Sequence, residues 1–117
     1  MRDRLNKKIH DVWKDTNVYA FVAAKARNDK NAALKAMTKA TEAYCKKEKI
    51  DIDNRTRAFC NIGIGIEEEQ LADQIAKIIS SYDEFAAYLK WLDEKEPDIS
   101  NALYQTAFID KIGKKLN

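Results

Sequence analysis

Residues 30–48, KNAALKAMTKATEAYCKKE, decide the fold class. At about 100° per residue, Lys35, Lys39, Glu42, Lys46 and Lys49 fall in one narrow stripe. Leu34, Met37, Thr41, Tyr44 and Cys45 lie across from it, and Ala32, Ala33, Ala36, Ala40 and Ala43 fill the flank. Alanine is the strongest helix former, and small side chains let a neighbouring helix come close. The segment predicts an amphipathic helix, with Asp29 in the Asn28–Asn31 punctuation as its N-cap.

The same period extends towards the N-terminus. Leu5, Ile9, Val12 and Trp13 recur on one side of residues 3–14. Asp15-Thr16-Asn17 breaks the chain, and the apolar run from Val18 to Ala24 predicts a largely buried second helix over 18–27. Beyond residue 66, Glu67-Glu68-Glu69 suits the start of a helix whose inward face is Leu71, Ile75, Ile78, Ile79 and Tyr82, because carboxylates favour the positive end of the helix dipole. Ser81 and Glu84 have capping-box spacing ahead of Phe85, Tyr88, Leu89 and Leu92. Pro97 ends that helix. Asp98 or Ser100 then caps a last helix with Ile99, Leu103, Ala107, Ile109 and Ile112, and Gly113 serves as its C′ residue.

One stretch resists the pattern. Ile62-Gly63-Ile64-Gly65-Ile66 alternates β-branched residues with glycine, and predicts an extended connector at a hinge or a close helix crossing. The expected architecture is an all-α, compact single-domain bundle of six or seven helices over residues 1–117, with this glycine-containing connector near 62–66. Composition agrees. Three Gly and one Pro in 117 residues are too few for the turns of a sandwich or barrel, and 45% hydrophobic content argues against wholesale disorder. The longest apolar run, Val18 to Ala24, falls far short of the ~20 residues that span a bilayer. The N-terminus shows no apolar signal segment, so a cytoplasmic protein without membrane partners is expected, its two cysteines reduced.

No catalytic constellation emerges. His10 is the single histidine and sits at the edge of the first helix's apolar stripe, which suits a boundary residue. Cys45 and Cys60 flank the Asp51–Asp53 turn. They read either as two small buried hydrophobes or as a pair that a helical hairpin brings together, while zinc would need two further ligands. Asp51-Ile52-Asp53-Asn54 has oxygens at alternate positions, but Thr56 stands where a calcium loop needs glycine and Ile62 where it needs glutamate. Gly63-Ile64-Gly65 lacks a third glycine, and the following glutamates would repel a phosphate. No cofactor or metal is implied, and no enzyme.

Charge says more. Residues 1–49 hold 13 Lys/Arg against six Asp/Glu, +7; residues 50–110 hold five against 13, −8; Lys111, Lys114 and Lys115 restore the net +2. Solvated faces within one bundle account for such a division, as does a bipolar surface that meets a charged macromolecule. The first functional reading is a small non-enzymatic helical interaction protein that binds and inhibits or modulates a macromolecular partner, a protein, in the manner of accessory, immunity or phage and plasmid anti-defence factors. Trp91 and Tyr104 are its candidate aromatic anchors, whereas Trp13 and Tyr44 suit the core. The alternative is a nucleic-acid-binding regulator whose basic face combines Arg2, Arg4, Lys7, Lys8 and Lys14 with Lys35, Lys39, Lys46 and Lys49. The alanine flank also permits a homodimer.

Overall fold

Ile9 and Trp13, predicted on one stripe, are both fully buried at the centre of a bundle that a computed structural model describes for residues 2–50 and 56–116, with side chains for 4–50 and 62–116. Seven helices occur among the described residues: α1 (Arg2–Lys14), α2 (Asn17–Ala26), α3 (Lys30–Lys47), α4 (Thr56–Ala76), α5 (Tyr82–Lys95), α6 (Pro97–Tyr104) and α7 (Phe108–Leu116). No strand occurs among them, and none of these helices is long and apolar enough to cross a membrane.

Short polar side chains set the breaks. Thr16 donates its hydroxyl to the Trp13 carbonyl at 2.6 Å and accepts the Tyr19 amide at 3.2 Å, so one residue closes α1 and caps α2. Asp29 caps α3 through the Ala32 amide, as its position in the sequence predicts. Both α2 and α3 end in a left-handed residue, Asn28 (φ 56°) and Lys49 (φ 58°). The next amide in each case returns to the helix, Asp29 to the Ala24 carbonyl and Ile50 to the Cys45 carbonyl, both at 2.8 Å.

Several expectations need correction. Residues 62–66 are no extended connector: they lie inside α4, a 21-residue helix about 31 Å long. The alternation of isoleucine and glycine serves two helix neighbours instead of a strand. Gly63 faces α3, where a Cβ would come within 2.6 Å of the Thr41 Cα and 2.7 Å of its nitrogen, so only glycine allows the approach. The Gly65 carbonyl accepts Lys111 Nζ of α7 at 3.0 Å. Of the two explanations weighed for these glycines, a close helix crossing is the one observed.

It follows that Glu67-Glu68-Glu69 sit mid-helix, and each carboxylate reaches a different neighbour. Glu67 accepts the Asn17 amide (2.8 Å) and side chain (3.1 Å), meeting the positive end of α2 rather than of its own helix. Glu68 is buried against Lys111 at 3.0 Å, and Glu69 shares Lys115 with Asp73. Pro97 begins a helix instead of merely ending one: it is the first residue of α6, where a missing N–H costs nothing. Glu96, not Asp98 or Ser100, precedes it as the cap, and Ser100 is buried with its hydroxyl donated to Asp93. The expected last helix is two, because Thr106 bonds both the Leu103 carbonyl and the Phe108 amide and so breaks the chain. Gly113 lies inside α7 with no positive φ, so it is not a C′ residue. Ser81 does precede α5, but its side chain makes no capping bond; Glu84 accepts the Ser80 amide and hydroxyl at 2.7 and 2.6 Å.

Packing is lopsided. The largest enclosed side chains are Trp13, Tyr88, Phe85 and Phe108, joined by Ile75, Leu92, Leu103 and Ile112. Among the described residues, α4 lies between α3 and α7 and also meets α1 and α2, whereas α3 touches α2 and α4 alone. α3 is therefore an outer helix, bound through Ala33, Ala36, Ala40, Thr41 and Cys45. The face that the sequence analysis places as a flank is the packed one. Leu34, expected inward, is 48% exposed.

Candidate interaction surface

The outer side of α3 follows from that packing. Its buried residues centre on Ala40, and Lys35, Lys39 and Lys46 project on the opposite side, all exposed. α3 carries five lysines against the single Glu42, and none of these lysines forms an ion pair with another described residue. Paired surface charges contribute little to stability, and unpaired ones contribute less, so the stripe is free to act outward. Lys49 does not belong to it. The left-handed turn carries that residue off the end of the helix.

The remaining basic residues sit elsewhere. Arg4, Lys7, Lys8 and Lys14 are exposed on α1, and the side chain of Arg2 lies outside the described residues. α1 and α3 do not touch, so the two groups of the nine-residue basic face belong to helices without mutual contact. Cys45 is buried and free, while Cys60 and the Asp51–Asn54 turn fall outside the residues described at side-chain level. Tyr104 is 53% exposed on α6, near enough to Asp93 and Tyr82 for their charges to add to the burial that raises its pKa.

A groove opens where α2 turns into α3. Phe21, Ala24, Ala33, Leu34 and Met37 line it, with Lys25 and Lys30 at its rim and a volume of about 280 Å³. Alanines at 24 and 33 let the two helices meet closely, and Phe21 and Leu34 wall the space beside that meeting point. Lys25 Nζ lies 5.5 Å over the Phe21 ring, so the rim cation is held against an apolar wall. Sequence reasoning passed over this groove. Its one available signal was Leu34, a large apolar residue off the alanine flank of its helix and about 100° from Lys35.

His10 occupies a different environment, also unforeseen. Rings of Trp13, Tyr19, Tyr88 and Trp91 surround it with centroids 5.4–6.2 Å away. Trp13 Nε1–H donates to the Tyr88 hydroxyl at 2.6 Å, which directs the tyrosine's own proton to His10 Nδ1 at 2.9 Å. That arrangement selects the Nε2–H tautomer, and Nε2 faces Glu96 Oε2 at 3.7 Å. Glu96 also accepts the Tyr19 hydroxyl at 3.4 Å. Burial pushes the Tyr88 hydroxyl well above its ordinary pKa, and the Glu96 charge adds to this against the opposing Trp13 hydrogen bond. Tyr19 is raised for the same two reasons. Tyr88 therefore stays protonated and remains a donor. Trp91 is half-buried, stacked on Tyr88 at 5.7 Å, so its ring serves this cluster. The network joins α1, α2, α5 and the start of α6, and it does not line the α2–α3 groove.

Among the described residues, no group of three or more His, Cys, Asp or Glu side chains is placed to hold a metal ion. The class these features define is an all-α chain, with seven helices among the described residues, a cationic outer helix and an apolar groove at its edge. Compared with protein-family models, curated proteins and solved structures, the chain matches none.

Proposed function

We propose that this is a small interaction protein that acts without catalysis, binding an acidic protein partner and modulating it by occupying its surface. The observation that carries the reading is the outward stripe of Lys35, Lys39 and Lys46 on a helix packed through alanines. The packing residues are spent on the inner face, and the outer face carries charge that no described carboxylate neutralises. Such a field accelerates encounter with an acidic partner and disfavours basic ones. A nucleic-acid regulator is the lesser reading, since the basic residues of α1 and α3 sit on helices that do not meet.

Affinity capture from native cell lysate, with and without nuclease, tests this. A protein partner should survive nuclease and be lost to the Lys35→Glu, Lys39→Glu, Lys46→Glu variant. Capture that ignores the charge reversal, or that vanishes with nuclease, overturns the proposal. All three positions are exposed, so the variant should keep its fold and its stability within about 0.5 kcal/mol per substitution.

A further inference from the structure

We infer that the α2–α3 groove is a second contact site of this protein, receiving an apolar side chain from an acidic segment of a protein partner. The inference rests on the reading above and adds what the charge alone does not supply. Its walls are Phe21, Leu34 and Met37 over a floor of Ala24 and Ala33, with Leu34 48% exposed beside it. A single exposed leucine carries no message, but here it continues an apolar surface that includes a half-buried phenylalanine and methionine. Methionine adapts its shape to an incoming group, which suits a surface that must close on a side chain. At about 280 Å³ the groove is just below the roughly 300–1,000 Å³ typical of small-molecule sites, and it has room for one or two anchor side chains.

The rim selects the charge of the occupant. Lys25 and Lys30 border the groove, and Arg27 and Lys35 are exposed near it along the chain. Asp29 is the one acid there, and its carboxylate is already engaged by the Ala32 amide. Lys30 also occupies the first position of α3, a helix with no acid in its first turn, where the helix dipole repels a cation. Lys30 at the start of α3 and Lys25 in the last turn of α2, on either side of an apolar slot, complement a segment bearing Asp or Glu beside a Leu, Met, Phe or Trp anchor. The Lys35, Lys39 and Lys46 stripe projects on the other side of α3 from Lys30, Ala33 and Met37, so the groove's own rim lysines supply the charge that the segment meets.

The probe is a phage-displayed library of random peptides of about 16 residues, a length that can present a helical or extended anchor motif. It is selected against the full chain, against Leu34→Lys, and against the rim reversal Lys25→Glu, Lys30→Glu. The full chain should enrich peptides of net negative charge with at least one large apolar residue. An enriched peptide should weaken about tenfold or more, by fluorescence anisotropy, with Leu34→Lys or when its own anchor becomes serine. It should weaken with the reversal of Lys25 and Lys30 as well. Circular dichroism melts of both variants should match the parent, which separates lost binding from lost folding. If acidic peptides are enriched without an apolar anchor and bind Leu34→Lys unchanged, the pocket is overturned while the charged surface stands. If no acidic bias appears, and labelled duplex DNA binds or light scattering shows a Leu34-dependent dimer instead, both readings fall.

Discussion

The two ends of the core are built from opposite materials. Around Trp13, Tyr88, Phe85 and Phe108, large rings fill space and Trp13 and Tyr88 satisfy each other's polar atoms. At the seam along the packed face of α3, Ala33, Ala36 and Ala40 are buried, and Gly63 of α4 sets its backbone against Thr41 with no side chain between them. The aromatic region can lose a polar atom and keep its shape, whereas the seam has no slack to absorb one added carbon. That difference divides the labour as well. Large rings bind α1, α2, α5 and α7 into a body, while small residues attach α3 by one face and leave its other face for a partner.

The sharpest way to break the comparison is Gly63→Val. Its Cβ would meet Thr41 backbone, which cannot rotate away, so destabilisation of about 3 kcal/mol or more is expected in urea denaturation. Gly65→Ala is the matched control. Its Cβ meets only Lys111 Nζ at 3.6 Å, and the gain in helix propensity should stabilise by up to about 1 kcal/mol. Equal losses at both positions would mean that the seam is not glycine-dependent.

Next in size is Lys111→Ala. It strands the buried Glu68 carboxylate, and because Lys111 itself is partly exposed the cost should be about 2 kcal/mol, read from the same denaturation curves. Tyr88→Phe keeps the ring but leaves Trp13 Nε1–H and His10 Nδ1 without their shared hydroxyl. A loss of roughly 1–2 kcal/mol is expected, with a shift in tryptophan emission. A larger loss than Gly63→Val would reverse the ranking of the two regions.

Smaller effects refine it. Lys49→Gly should stabilise by about 1 kcal/mol, since it relieves a left-handed residue at the end of α3 without touching the outward stripe, and thermal melts will show it. On the aromatic side, hydrogen bonds from the Ser80 hydroxyl and amide hold the Glu84 carboxyl below its ordinary value. A lowered carboxyl contributes stability above its unfolded pKa and loses it as pH falls through the folded one. Ser80→Ala should therefore lower stability slightly at neutral pH and leave strongly acid pH unchanged, so that urea denaturation across a pH series shows a flatter fall below about pH 4.5.

Local chemistry made much of this fold legible. The apolar stripe of α1 and the helical period of α3 could be read directly, as could the punctuation at Thr16 and Asp29, because period and capping depend on neighbours a few residues apart. The outward lysines were legible for the same reason. The groove was not. It needs Phe21 of α2 and Leu34 of α3 on one side of a turn, and no local rule relates them. The His10 network spans up to 78 residues of sequence and was equally out of reach.

Sequence alone determined an all-helical chain with a cationic third helix, since propensity, periodicity and charge belong to each segment by itself. Tertiary structure decided what the isoleucine–glycine stretch becomes. By local preference Ile62–Ile66 suits an extended chain, but with α3 on one side and α7 on the other the same residues make a helix. Close contact at Gly63 and the Lys111 bond at Gly65 reward that conformation, and neither partner lies within 20 residues of the glycine it meets. Packing outweighed propensity there because contact with two helices offsets the cost of two glycines, about 1 kcal/mol each.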